Sequence, residues 1–177
     1  MFTVTGGEKD EIKWTKERKL RWEDFEGKMQ KNTPIAAVSS VGVAYETITA
    51  SYERYILEIY AVFEKKRSAA WMEKASNDGL IHEQKHFDLV EVYARKMRKA
   101  LFSKQNLYGY SSISDELRKL HTIYVDSLRG MQERYDKETH YSCLLNKQHE
   151  WNAYIEKELK VMESWSNPYV TVYLKQE

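Results

Sequence analysis

One cysteine, Cys143, stands in 177 residues, so no internal disulfide can form and no zinc site can be built on thiolates. A metal held by this chain would have to use histidines and carboxylates. Prolines number two, Pro34 and Pro168, and the seven glycines form no tract with them or with serine, so no interdomain linker is visible and no internal repeat either. Residues 1–177 are therefore expected to form a single domain. Long apolar runs are also missing: segments such as Ala36-Ala37-Val38 fall far short of a bilayer span, which excludes a transmembrane segment. Met1-Phe2-Thr3-Val4 lacks the charged-then-apolar layout of a leader, so the chain reads either as cytoplasmic or as a mature form whose leader has been removed. Charge of one sign is absent as well. Lys plus Arg total 28 against 27 for Asp plus Glu, which offers no electrostatic footprint for a nucleic acid. The densest basic stretch, Arg95, Lys96, Arg98, Lys99 and Lys104, is expected at a solvated helix end, where cations offset the dipole.

What is present changes character along the chain. Val38 to Tyr45 mixes small and β-favouring residues, and Tyr55 to Phe63 is rich in β-branched and aromatic ones, so both read as strands of an antiparallel sheet joined near Glu46 to Tyr52. From Ser76-Asn77-Asp78-Gly79 onward, apolar residues recur at helical spacing. A helix is expected over about Gly79–Phe102, a second over Ser114–Arg134 with Leu117, Leu120, Tyr124 and Leu128 on its apolar stripe, and a third over Asn146–Ser164. Pro168 closes the helical part, and Tyr169 to Leu174 alternates as a terminal strand would. The fold class is α+β: an N-terminal antiparallel sheet followed by a three-helix region.

The first of these helices carries His82-Glu83-Gln84-Lys85-His86. Residues four apart lie about 40° from each other around a helix, so both imidazoles project from one face toward a shared ion, and zinc fits such a pair. Glu83 flanks that stripe. Its carboxylate is placed to act as a general base on a water at the metal without ligating the metal itself. The plain alternative is a charged, exposed helix turn, as Gln84 and Lys85 suggest. Against it, Leu80, Ile81, Phe87, Leu89 and Val90 surround the motif, and two half-buried histidines without a partner would be costly.

A catalytic zinc site needs a third protein ligand. The extended motif with glycine and histidine three and six residues beyond the second histidine does not apply, because Leu89 and Val92 stand there. His121 falls beside Leu117 and Leu120 and reads as a core or flank histidine; His149 lies in a charged turn and reads as exposed. His140 sits in Asp136-Lys137-Glu138-Thr139-His140-Tyr141-Ser142, which reads as a polar turn between helices, and is the preferred third ligand. Tyr141, Glu138 and Asp136 are rivals in the same turn, and Glu91 is a weaker one.

Several strings together resemble a bacterial family of uncharacterised proteins described as predicted secreted zinc-dependent proteases. They are Leu20-Arg21-Trp22-Glu23-Asp24-Phe25-Glu26-Gly27, Ala36 to Val43, Ile81 to Leu89, Tyr135-Asp136-Lys137-Glu138-Thr139, and Gln148 with Trp151-Asn152, and they touch almost the whole chain. The resemblance implies a zincin-like metallopeptidase acting on peptide or protein substrates, located outside the cytoplasm once a leader is removed. It also implies a histidine one residue beyond His140, where this chain has Tyr141. An extended substrate would be expected to add to a free sheet edge, the Tyr55 to Phe63 strand being the expected one. The rival readings are a binding module that keeps the metal as a structural site closed by a fourth ligand, and a metal-free relic acting through protein contacts.

Overall fold

The computed structural model describes residues 10–31, 33–104 and 107–175. Six strands and three helices follow one another as β1 (Glu11–Lys13), β2 (Ala37–Val38), β3 (Val41–Ala50), β4 (Arg54–Glu64), β5 (Ala69–Ala70), α1 (Asn77–Phe102), α2 (Gly109–Thr139), α3 (Leu145–Val161) and β6 (Tyr169–Tyr173). The arrangement is the expected α+β one, with the antiparallel sheet in the N-terminal half and three helices after it. None of the helices is long and apolar enough to cross a membrane.

β4 is the centre of the main sheet. Its alternate residues Tyr55, Leu57, Ile59, Ala61 and Phe63 are all buried and join the main core with residues of α1. Of these, the fully buried Leu57, Ile59 and Phe63 each contribute about 1.5–3 kcal/mol. A slip of one residue would turn the whole set to the other face, so the register with β3 is held from Val41 opposite Phe63 to Thr47 opposite Leu57, and it shifts by one only at an irregularity between Thr47 and Thr49, after which Ala50 lies opposite Tyr55. Both edges of β4 are occupied: β3 covers one, and β1 with β6 share the other. The backbone between those two is also bonded, Trp14 N–H to the Ala61 carbonyl and Ile59 N–H to that of Pro168. The Tyr55 to Phe63 strand therefore offers no docking edge. Among the described residues, the unpaired edges belong to β3 on one side of the sheet and to β1 and β6 on the other.

The expected Val38 to Tyr45 strand is divided in two. Ala37 and Val38 pair with Ala70 and Ala69 in a separate ribbon, and β3 starts at Val41 and runs on to Ala50, through the segment expected to be the connection. The β-branched Thr47 and Thr49 continue the strand across the register shift between them, and the turn comes at Ser51, whose N–H and hydroxyl both donate to the Arg54 carbonyl. The Trp22 to Gly27 segment locks against the same region. Phe25 packs edge-on against Phe63, and Gly27 comes so near the Ser68 and Lys66 carbonyls that a Cβ there would lie 2.7 and 2.8 Å from them.

α1 begins two residues earlier than expected, at a cap in which the Ser76 hydroxyl accepts from the Gly79 N–H. It packs on the sheet and on both other helices, so it is buried around most of its circumference. This overturns the solvated reading of the basic stretch at Arg95 and Arg98. Both are buried against Glu91, Arg95 through Nε at 2.9 Å and Arg98 through Nη1 at 2.8 Å, while Arg98 Nε reaches the Ile59 carbonyl at 2.7 Å. Charges removed from water are tolerated when paired and fully bonded in this way.

α2 extends past both expected ends. Its polar last turn stays helical because Tyr135 and Thr139 are buried, with the Thr139 hydroxyl donating back to the Tyr135 carbonyl at 2.8 Å. The connection to α3 is then made by His140, Tyr141 and Ser142, three successive non-glycine residues with φ of 51°, 52° and 70°. Left-handed backbone at such residues costs about 1–2 kcal/mol each. It makes the reversal tight enough to set the start of α3 beside the end of α2. α3 ends at Val161, short of the expected Ser164, and a single 3-10 turn, Glu163–Trp165, follows.

Candidate metal centre

Early residues of α1 meet late residues of α2. The pairing of His86 with Asp136 and of Tyr93 with Ser127 shows that the helices run antiparallel. At this end the i, i+4 spacing turns His82 and His86 to the same side, and their Nε2 atoms lie 3.2 Å apart. Asp136 Oδ1 completes a triangle, 3.1 Å from His82 Nε2 and 2.8 Å from His86 Nε2. Among the described residues these three form the group able to hold a metal ion. A tetrahedral zinc with bonds of about 2.0–2.1 Å requires ligand atoms about 3.3–3.4 Å apart, so the donor set fits with small adjustments.

The side chain that converges with the two histidines is Asp136, and His140, the preferred third ligand of the sequence reading, does not join the group. Because α2 stays helical through Thr139, Asp136 is held on its flank facing α1, whereas His140 is the left-handed C-cap and is exposed. The rivals are engaged elsewhere or point outward: Glu138 accepts from Arg134 and from the Trp151 indole, Glu91 is bound to its arginines, and Tyr141 is exposed. His149 is exposed, as expected, and His121 lies on the α2 flank with Nε2 donating to the Val43 carbonyl at 3.0 Å. In the sequence Asp136 stands as one of several rivals to His140 in that segment. The signal that singles it out is its spacing from Tyr135 and Thr139, which are core residues if the helix continues.

Around the triangle the polar groups are all directed. Gln148, buried at the start of α3, donates from its amide nitrogen to the Tyr135 hydroxyl at 2.6 Å and to Asn152 Oδ1 at 2.8 Å. Its Oε1 therefore faces His82 Nδ1, 3.1 Å away, and must accept a proton from it. A neutral His82 then carries its lone pair on Nε2, and that lone pair faces the carboxylate oxygen of Asp136. Two lone pairs 3.1 Å apart repel unless a cation stands between them, either a second ring proton or a metal ion. Tyr135 lies under both rings, stacked on His82 at 4.5 Å and edge-on to His86 at 4.9 Å, and its hydroxyl donates to the His82 carbonyl at 3.3 Å. Burial pushes the Tyr135 phenol far up, so it stays a neutral donor.

Charge at the site follows from the same contacts. Burial works against a charged His86, but the hydrogen bond to Asp136 and the charges of Glu83 and Asp136 outweigh it and hold the ring above its ordinary 6.5. Burial would raise Asp136, yet its bonds to His82 and His86 win and keep it well below the carboxylate range. Glu83 is buried beside the triangle without joining it, and the Ser39 hydroxyl donates to its Oε2. Ser39 lies between β2 and β3, so the division of the expected strand brings the start of the free edge of β3 next to Glu83. A cleft of about 1480 Å³ opens elsewhere, on the opposite face of α1 along Gln84, Asp88, Glu91, Arg95 and Arg98, and the histidines do not line it. Its buried charges are paired with one another, which makes it the poorer place for chemistry.

Comparison of the chain with protein-family models, with curated proteins and with solved structures gives no match.

Proposed function

We propose that the chain is a zinc-dependent hydrolase of the metallopeptidase type, with His82, His86 and Asp136 as ligands and Glu83 as general base. The observation that supports it most is the convergence of two imidazole nitrogens and a carboxylate oxygen, with Gln148 turning the His82 lone pair toward Asp136. Zinc held there would lower the pKa of a water and polarise a substrate carbonyl. Glu83, adjacent in sequence to His82 but outside the triangle, would be placed to take the proton of such a water and pass it to the leaving amine. Ser39 keeps the Glu83 carboxylate turned toward the sheet edge. An extended peptide pairs with the outer edge of β3, whose backbone groups give alignment with little demand on sequence. We likewise propose a zincin-like relationship and a location outside the cytoplasm.

Three protein ligands leave a position open for water, which favours catalysis over a closed structural site. The test replaces Glu83 by glutamine, which keeps the size and loses the basicity. Glu83→Gln should bind zinc as the parent does, and its rate on peptides cleaved by the zinc-loaded parent, chosen from an unbiased library, should drop by at least about a hundredfold. No cleavage by the zinc-loaded parent across the library, or cleavage that the replacement leaves unchanged, would reject the enzyme reading in favour of a metal-containing binding module.

A further inference from the structure

We infer that His121 limits how far a peptide extends along this chain on one side of the metal centre, by closing the free edge of β3 at Val43. The inference rests on the peptidase reading and names a length-determining residue for it. In an antiparallel strand, successive residues direct their backbone N–H and C=O alternately to one neighbour and to the other. Ser40 directs its carbonyl to the Glu64 N–H, inside the sheet, so Val41, Val43 and Tyr45 present theirs at the outer edge. On β4 the same alternation turns the Ala61 carbonyl and the Ile59 N–H away from β3, which confirms the phase.

Of these outward groups, the Val43 carbonyl is already used. His121 Nε2 donates to it at 3.0 Å, and the Tyr45 ring packs edge-on against the His121 ring at 5.4 Å. The side chain comes from α2. Positions 121 and 136 are fifteen residues apart, within about 60° of each other around the helix, so His121 and Asp136 lie on one flank. One end of that flank meets the histidines of α1, and the other meets the sheet edge. A peptide paired from the level of Ser39, beside Glu83, gains Val41 as a partner and after about four residues, some 13 Å, reaches a carbonyl already taken and a ring pair standing over it. Beyond that level the Tyr45–His121 ring pair stands between the peptide and the outward groups of Tyr45, so further residues leave the edge.

The experiment is a series of peptides sharing one cleaved bond and lengthened residue by residue, up to eight on either side. With the zinc-loaded parent, kcat/KM should stop rising on one side after about four residues. With His121→Ala that arm should go on rising, by about fivefold for each restored backbone bond. A second measurement needs no change at His121. Zinc-loaded Glu83→Gln mixed with the longest peptide should gain amide-exchange protection at Val41 and none at Val43. Continued gain past four residues in both arms of the parent, an unchanged plateau in zinc-retaining His121→Ala, protection at Val43, or no protection anywhere on β3 would each overturn the inference while leaving the peptidase reading intact. Failure of that reading shows separately, as absence of cleavage at every length.

Discussion

Removing Asp136 is the sharpest perturbation of the metal centre, because it tests the residue whose role comes from the fold. Asp136→Ala takes away one of three converging donors and leaves two Nε2 atoms 3.2 Å apart with no carboxylate. Sites in which four side chains hold zinc reach about 10–16 kcal/mol, so one ligand corresponds to about 3–4 kcal/mol, or roughly a 10²–10³-fold loss of affinity. Competition with a zinc-binding dye at pH 7 reads a change of that size directly. The paired control is His140→Gly. His140 is exposed and left-handed, with φ of 51°, so glycine should leave zinc affinity within about threefold and relieve about 1 kcal/mol of backbone strain. In a domain of this size that raises Tm by about 2–4 °C. Near-parental affinity in Asp136→Ala, or a large loss in His140→Gly, would refute the assignment and restore the turn histidine as ligand.

Gln148→Leu keeps the volume of the buried side chain and removes the acceptor for His82 Nδ1–H; zinc affinity should fall about 10–100-fold with the stoichiometry retained, and nitrogen NMR of the parent should show His82 protonated at Nδ1. Stability should depend on pH in opposite senses with and without metal. In the metal-free protein the raised His86 contributes stability fully present below its ordinary 6.5 and lost as pH rises through its higher folded value, while the depressed Asp136 contributes above the ordinary carboxylate value and loses it only in strong acid. Metal-free Tm should therefore decline from mildly acidic toward alkaline pH, whereas zinc affinity should climb over the same range because the ligand rings must be deprotonated; parallel trends would contradict the charge state assigned to His86.

Much of this molecule is legible in its sequence where periodicity and burial agree. The β4 strand is a run of β-favouring residues, and the i, i+4 histidines declare a shared face whatever they contact. The sequence names Asp136 only as a rival to His140 for the third place in the group, because Asp136-Lys137-Glu138-Thr139 is polar enough to look like a turn. Only the burial of Tyr135 and Thr139 against neighbouring helices keeps that turn helical. Local composition likewise misplaced Arg95 and Arg98, whose pairing with Glu91 on the same helix lets them be buried. The free edge was assigned to the wrong strand for a topological reason. β1 and β6, from opposite ends of the chain, both return to β4, and no local pattern announces a long-range pairing of that kind.

The most direct measurement is a crystal structure of the zinc-loaded protein. The account predicts one zinc per chain, bound by His82 Nε2, His86 Nε2 and Asp136 at about 2.0–2.1 Å, with a fourth position open to water and Glu83 beside it. Zinc bound by His140 in place of Asp136, or by Glu83 in a shell closed by four protein ligands, would contradict it.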